Sequence, residues 1–174
     1  MAELNSKKAI IILISVATVA LNNTVNAQKL VFIFGHGLYA SPLDQTFKDG
    51  YNKGLGVEGG AGIGWNKTFI MGTSGYSSFS SASGNGDGNI TIIPLKAGIR
   101  QYLIGKLLYL HGDLGLASVK SKISSAQSKF SADFGAGVKF GGFELQLDYD
   151  GFSKSEPSGY ASFIGLKAGF AIGL

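Results

Sequence analysis

His111 and Asp113 are the one histidine–carboxylate pair that this chain places two residues apart. On a strand that spacing puts both side chains on one face. A histidine oriented by an aspartate, with a hydroxyl within reach, is the constellation used for acyl transfer and hydrolysis, and Ser118 follows in the same stretch as a candidate hydroxyl. A lumen- or core-facing His beside an Asp is equally a satisfied polar pair, so catalysis needs a geometry that the sequence does not supply. The only other histidine, His36, sits in the glycine-flanked run FGHG and reads as structural. Cysteine is absent, which excludes thiolate nucleophiles, thiolate metal sites and a disulfide framework. The run GNGDGN from Gly84 to Asn89 has the composition of a calcium loop but neither its ligand spacing nor its terminal Glu, and reads as a loop tip. GLGVEGGAGIG, from Gly54 to Gly64, has G-x-G spacings with no helix after it, so a nucleotide fingerprint is rejected. No catalytic residue, metal site or cofactor is expected, and the protein is not expected to be an enzyme.

The elements that carry these residues are strands. From Phe130 to Phe140 every second residue is apolar, against Ser131, Asp133, Gly135, Gly137 and Lys139. After Gly141-Gly142 the alternation resumes as Phe143, Leu145, Leu147 and Tyr149 against Glu144, Gln146, Asp148 and Asp150. Strict period-two alternation on both sides of a Gly-Gly turn is a β-hairpin. Six further strands follow from the same pattern: Leu30 to Ala40, Gly54 to Trp65, Thr68 to Ser80, Ile90 to Tyr102, Leu107 to Val119 and Tyr160 to Leu174. The first is apolar on both faces, so its facing stays open. The third is the weakest, with Phe69, Met71 and Phe79 in one register. The glycines of the second, from Gly54 to Gly64, leave room inside or let large neighbours pack against it.

Composition and punctuation say where such a sheet would live. The 174 residues form one domain, and 15% are charged against roughly 25% in soluble domains. The chain opens with Lys7-Lys8, an apolar run from Ala9 to Leu21 and the small residues of Val25-Asn26-Ala27. That is the layout of a secretory signal peptide cleaved after Ala27; the apolar run falls short of the ~20 residues of a membrane span. The domain is then 28–174, with 13 basic residues against 10 acidic, scattered rather than clustered, which argues against nucleic acid. Long connections (Ser41 to Lys53, Ser81 to Asn89, Lys120 to Ser128, Ser153 to Gly159) alternate with short ones (Asn66-Lys67, Leu103 to Lys106, Gly141-Gly142). Sorting of long loops to one end and tight turns to the other marks outer-membrane barrels. Trp65, Phe140 and Phe143 beside short turns, and Tyr76, Phe79, Phe130, Tyr149 and Tyr160 near long loops, would form two aromatic girdles.

With the strand count, the leader and the loop order in place, the chain resembles the small eight-stranded outer-membrane β-barrel proteins of Gram-negative bacteria. IPLKAGIRQYL, LYLHGDLGLA and FGAGVKFGGFELQLDY are similar to the outer-membrane β-barrel domain proteins of Bacteroidetes. Lys167, Gly169, Ile172 and Leu174 resemble the C-terminal assembly signal, although many members end in Phe. The resemblance implies an eight-stranded antiparallel up-and-down transmembrane barrel, outer-membrane lipids as surroundings, and the barrel assembly machinery as partner of the last strand.

If the apolar faces meet lipid, the inward set is Glu58, Lys96, Arg100, His111, Asp113, Asp133, Lys139, Glu144, Gln146, Asp148, Asp150 and Lys167. Eight strands leave an interior that side chains fill, and buried charges must be paired, so an ion-pair network is expected. The reading favoured is a non-enzymatic envelope protein acting through its long loops, with porin-like passage of small or hydrophobic solutes as the alternative. A lipid-modifying barrel enzyme and a soluble, lipocalin-like barrel with the apolar face inward complete the set.

Overall fold

The computed structural model describes residues 31–82, 88–121, 125–154 and 159–173; the proposed leader lies outside them. Eight strands run in chain order as β1 (Val31–Pro42), β2 (Tyr51–Trp65), β3 (Thr68–Ser81), β4 (Ile90–Ile104), β5 (Leu108–Lys120), β6 (Gln127–Phe140), β7 (Phe143–Lys154) and β8 (Gly159–Gly173). Each pairs antiparallel with its sequence neighbour, and β8 pairs with β1 from Phe32↔Gly173 to Pro42↔Phe163, closing an up-and-down barrel. Closure leaves no unpaired edge. The β6–β7 hairpin turns at Gly141-Gly142, where Gly141 has φ +63°, and registers Lys139 with Glu144. Asn66 (φ 59°) and Gly105 (φ 57°) mark the two other tight turns at the same end.

Alternation translates directly into two faces. Leu55, Ile63, Ile70, Leu95, Ile99, Leu114, Phe134, Leu147, Leu166 and Phe170 all lie exposed on the outside. Trp65 and Phe140, 66% and 82% exposed, stand beside the short turns, with Tyr76 and Phe130 toward the opposite end. Phe79 does not join that outer ring. It is fully buried, and together with Phe69 and Met71 it points inward. The reason lies in β2, whose inward positions from Gly54 to Gly64 are glycines apart from Glu58. A Cβ at Gly54 would sit 2.7 Å from the Phe79 ring, one at Gly60 2.7 Å from Phe34 Cζ, and one at Gly62 2.2 Å from Phe32 Cε1. Aromatics from β1 and β3 thus fill the volume that β2 leaves vacant. The same need settles β1, where Phe32, Phe34, His36 and Leu38 face inward and Ile33 and Tyr39 outward.

The predicted loop Ser41 to Lys53 is shorter than expected, because β1 runs on to Pro42 and β2 starts at Tyr51. Between them lies a short helix, α1 (Gln45–Gly50), capped by the Asp44 carboxylate, which accepts from the Phe47 amide at 3.0 Å. Its buried Phe47 packs against the rings of Tyr51, Phe79 and Phe152 and stoppers the barrel at the long-loop end. Two apolar layers result. One holds Phe47, Phe79, Ile92, Phe152 and Phe163 under α1; the other holds Phe32, Phe34, Phe69, Met71, Tyr102 and Tyr109 toward the short turns.

Gly62→Val should cost about 1–3 kcal/mol, the usual penalty of overpacking. Adding Phe32→Leu should recover part of it in denaturant unfolding followed through Trp65; equal loss in single and double variants would show that the two sites are uncoupled. A pH effect is expected at α1. The hydrogen bond from Lys154, 2.6 Å away, outweighs partial desolvation and holds the Asp44 carboxyl below the usual carboxylate range. A lowered folded value means the cap contributes fully above the unfolded pKa near 4 and is lost as pH falls through the folded one. Solvent screening keeps this below ~1 kcal/mol, so protection of the Phe47 amide against hydrogen exchange should fall up to about fivefold on acidification, and Asp44→Asn should abolish the pH dependence.

Candidate functional site

Between the two apolar layers the inward positions of seven strands carry charge. Arg100 from β4 reaches Glu144 of β7 with one nitrogen at 2.9 and 3.1 Å from the two carboxylate oxygens. The guanidinium lies over the rings of Phe32, Phe34 and Tyr109, with the Tyr109 centroid 4.2 Å away, a stacking that Lys would not reproduce. Glu144 also meets His36 Nε2 at 3.1 Å, the Tyr109 hydroxyl at 3.4 Å and, more distantly, Lys139 at 3.9 Å. Lys96 bridges Asp133 and Asp150, the latter at 3.0 Å. Lys167 of β8 bridges Glu58 (2.8 Å) and Asp148 (2.7 Å). His111 Nδ1 lies 2.9 Å from Asp113 and Nε2 2.9 Å from Asp148. The Gln146 side chain donates to Asp148 and accepts from Tyr109.

All twelve residues of the anticipated set therefore lie on the inner face and meet one another. His36 belongs with them, although its glycine-flanked setting gave no sign of it. Only the facing of β1 would have revealed this, since His36 stands opposite Glu58 in the β1–β2 register. Tyr109 is a second participant that apolar alternation hides. The belt holds six carboxylates against Lys96, Arg100, Lys139 and Lys167, a deficit of two positive charges. A carboxylate only accepts, so both close contacts of His111 are hydrogen bonds when its ring carries a proton on each nitrogen.

The hydroxyl named for the catalytic alternative does not face His111. Ser118 lies within β5 on the exposed outer face, whereas His111 and Asp113 point inward. Both ring nitrogens of His111 are taken by carboxylates. Of the assembly motif, Lys167 is inward and Ile172 exposed, Gly169 opposes His36 on β1, and Leu174 lies outside the described residues, as does most of GNGDGN. A recess of about 470 Å³ opens at the short-turn end beside Lys106 and Lys139. Its walls include Phe32, Phe69, Tyr102 and Ala171, members of the apolar layer there.

Solved structures with this architecture include the outer membrane protein Ail of Yersinia pestis in a phospholipid bilayer nanodisc, with a TM-score of 0.57, 18% identity and coverage of 82% of this chain and 99% of that one. The fold is that of the small outer-membrane β-barrels. The N-terminal β-barrel domain of Pseudomonas aeruginosa OprF matches with a TM-score of 0.54 at 17% identity, over 81% of this chain and 97% of that one. Neisserial surface protein A matches at 0.52 and 13%, over 83% and 97%. No protein family and no curated protein matches the chain by sequence.

Removing one partner of a buried ion cluster leaves the others unpaired, at about 3–5 kcal/mol. Glu144→Ala should therefore lower unfolding stability in micelles by that amount, and Glu144→Gln, which keeps an acceptor oxygen, by less. Equal stability of Glu144→Ala and the parent would mean that the belt is dispensable to the fold.

Proposed function

We propose that the protein is an integral outer-membrane barrel with a filled lumen, which serves the envelope or surface interactions through the loops opposite its tight turns. The observation that carries this reading is the two-sidedness of the shell. A closed barrel with Leu, Ile, Val and Phe outward on its strands and a belt of charged side chains within has the solvent order of lipid outside and polar groups inside. A soluble ligand-binding barrel would have the reverse order. Strands of 12 to 15 residues suit a tilted crossing of the bilayer. The fold shared with Ail, OprF and neisserial surface protein A supports the same setting. Export by a signal peptide cleaved after Ala27, insertion by the barrel assembly machinery through β8, and membership of the Bacteroidetes-type barrel domain proteins belong to this reading.

Passage of solutes is disfavoured by the stack of two apolar layers and one charged belt, with Arg100, Lys167, Glu144 and Asp148 nearly or wholly inaccessible. Catalysis is disfavoured by the outward facing of Ser118.

The protein should fractionate with the outer membrane and migrate differently on gels before and after boiling, as its sheet unfolds. Recovery from the soluble periplasm would overturn the proposal. In planar bilayers the purified barrel should show no stable single-channel steps; steady conductance would establish the passage reading instead.

A further inference from the structure

We propose that His111, Asp113 and Asp133 form a binding site for one divalent transition-metal ion, best suited to zinc, in the middle of the lumen. The three are neighbours across β5 and β6, where Asp113 and Asp133 stand opposite in register. One donor atom from each lies within 4.8 Å of the others. His111 Nδ1 is 2.9 Å from Asp113 Oδ2 and 3.5 Å from Asp133 Oδ1. Ligands bound at about 2.1 Å lie roughly 3.0 Å apart in octahedral and 3.4 Å apart in tetrahedral geometry, so the two separations from His111 fit a shared ion.

A second observation is independent of that clustering. Asp113 Oδ1 and Asp133 Oδ1 are buried with no hydrogen-bond partner among the described residues, and their residues are only 2% and 5% exposed. Asp133 Oδ1 is the oxygen that faces His111 Nδ1. Lys96 does not supply the missing partner, because it binds the other oxygen, Oδ2, and Asp150. The surroundings are those of a metal-bound imidazole. His111 Nε2 is set on Asp148, which is itself held by Lys167 and Gln146, and a carboxylate behind the ring fixes the tautomer that offers Nδ1 to the ion. Glycines leave room for the ligand side chains: a Cβ at Gly135 would lie 2.8 Å from His111 Nε2, and one at Gly98 would strike the Asp113 carboxylate. A doubly charged ion would take the place of the Nδ1 proton and reduce the belt's excess of carboxylate. Imidazole and carboxylate donors together suit zinc and its neighbours rather than calcium or magnesium.

Apolar layers lie on both sides of the belt, so the ion would be enclosed as the barrel closes. The test is to refold the full domain in detergent with Co²⁺ or Zn²⁺, then desalt it in the presence of EDTA. The expected result is about one ion per chain by elemental analysis, with visible d–d absorption for Co²⁺. Cobalt added after folding in EDTA should bind far more slowly. Asp113→Asn and Asp133→Asn, checked for folding by the boiling shift, should lose the ion at least tenfold. Failure of the parent to retain more than about a tenth of an ion per chain would overturn the proposal whatever the variants do. Undiminished metal in a folded double variant would overturn it equally, by showing an adventitious site.

Discussion

Charge burial inside a shell too narrow for bulk water is the constraint on which this structure turns. Eight strands enclose only enough room for side chains, and water cannot solvate what they carry. Each carboxylate on the inner face must then find a cation or a donor within the barrel. Glu144 illustrates how far this goes, serving Arg100, His36 and Tyr109 at once. Such a cluster is weak evidence for raw stability but fixes which strand lies beside which, because a slip of one residue would move every charge to the lipid face.

The apolar layers above and below the belt solve a different problem, that of unequal strand volume. β2 offers glycines to the interior, and β1 and β3 answer with phenylalanines. Phe47 enters from outside the sheet to complete the layer under α1. The interior is thus a packed core of alternating chemistry, and its polar part lies between the two apolar layers.

Much of this was legible in the residues. Strict alternation in β4 to β8 gave strand faces and the belt, since one face there is uniformly apolar. Loop lengths gave the order of turns, and Gly141-Gly142 gave the hairpin. What stayed hidden lies where both faces are apolar. LVFIF in β1 has no polar side to mark its inside, so Phe32, Phe34 and His36 could not be assigned, and Phe79 passed for a surface aromatic. α1 escaped because six residues are too few for a helical period, and its Phe47 is held by tertiary packing. The trio His111, Asp113 and Asp133 was invisible as a trio, because cross-strand register and not sequence spacing brings the third member to the first two.

The distribution of the belt along the chain has a consequence for assembly. The first four strands bring Lys96, Arg100 and His36 against the single acid Glu58, whereas the last four bring Asp113, Asp133, Glu144, Asp148 and Asp150 against Lys139, Lys167 and His111. Neither half can neutralise itself. The decisive contacts join one half to the other: Lys96 to Asp133 and Asp150, Arg100 and His36 to Glu144, and Lys167 to Glu58. A half-formed sheet thus carries an electropositive inner surface that only the remaining strands complement. Curling of the ribbon would bring opposite potentials together, an attraction that favours ring closure. Hydrogen bonding along strand edges need not do that alone.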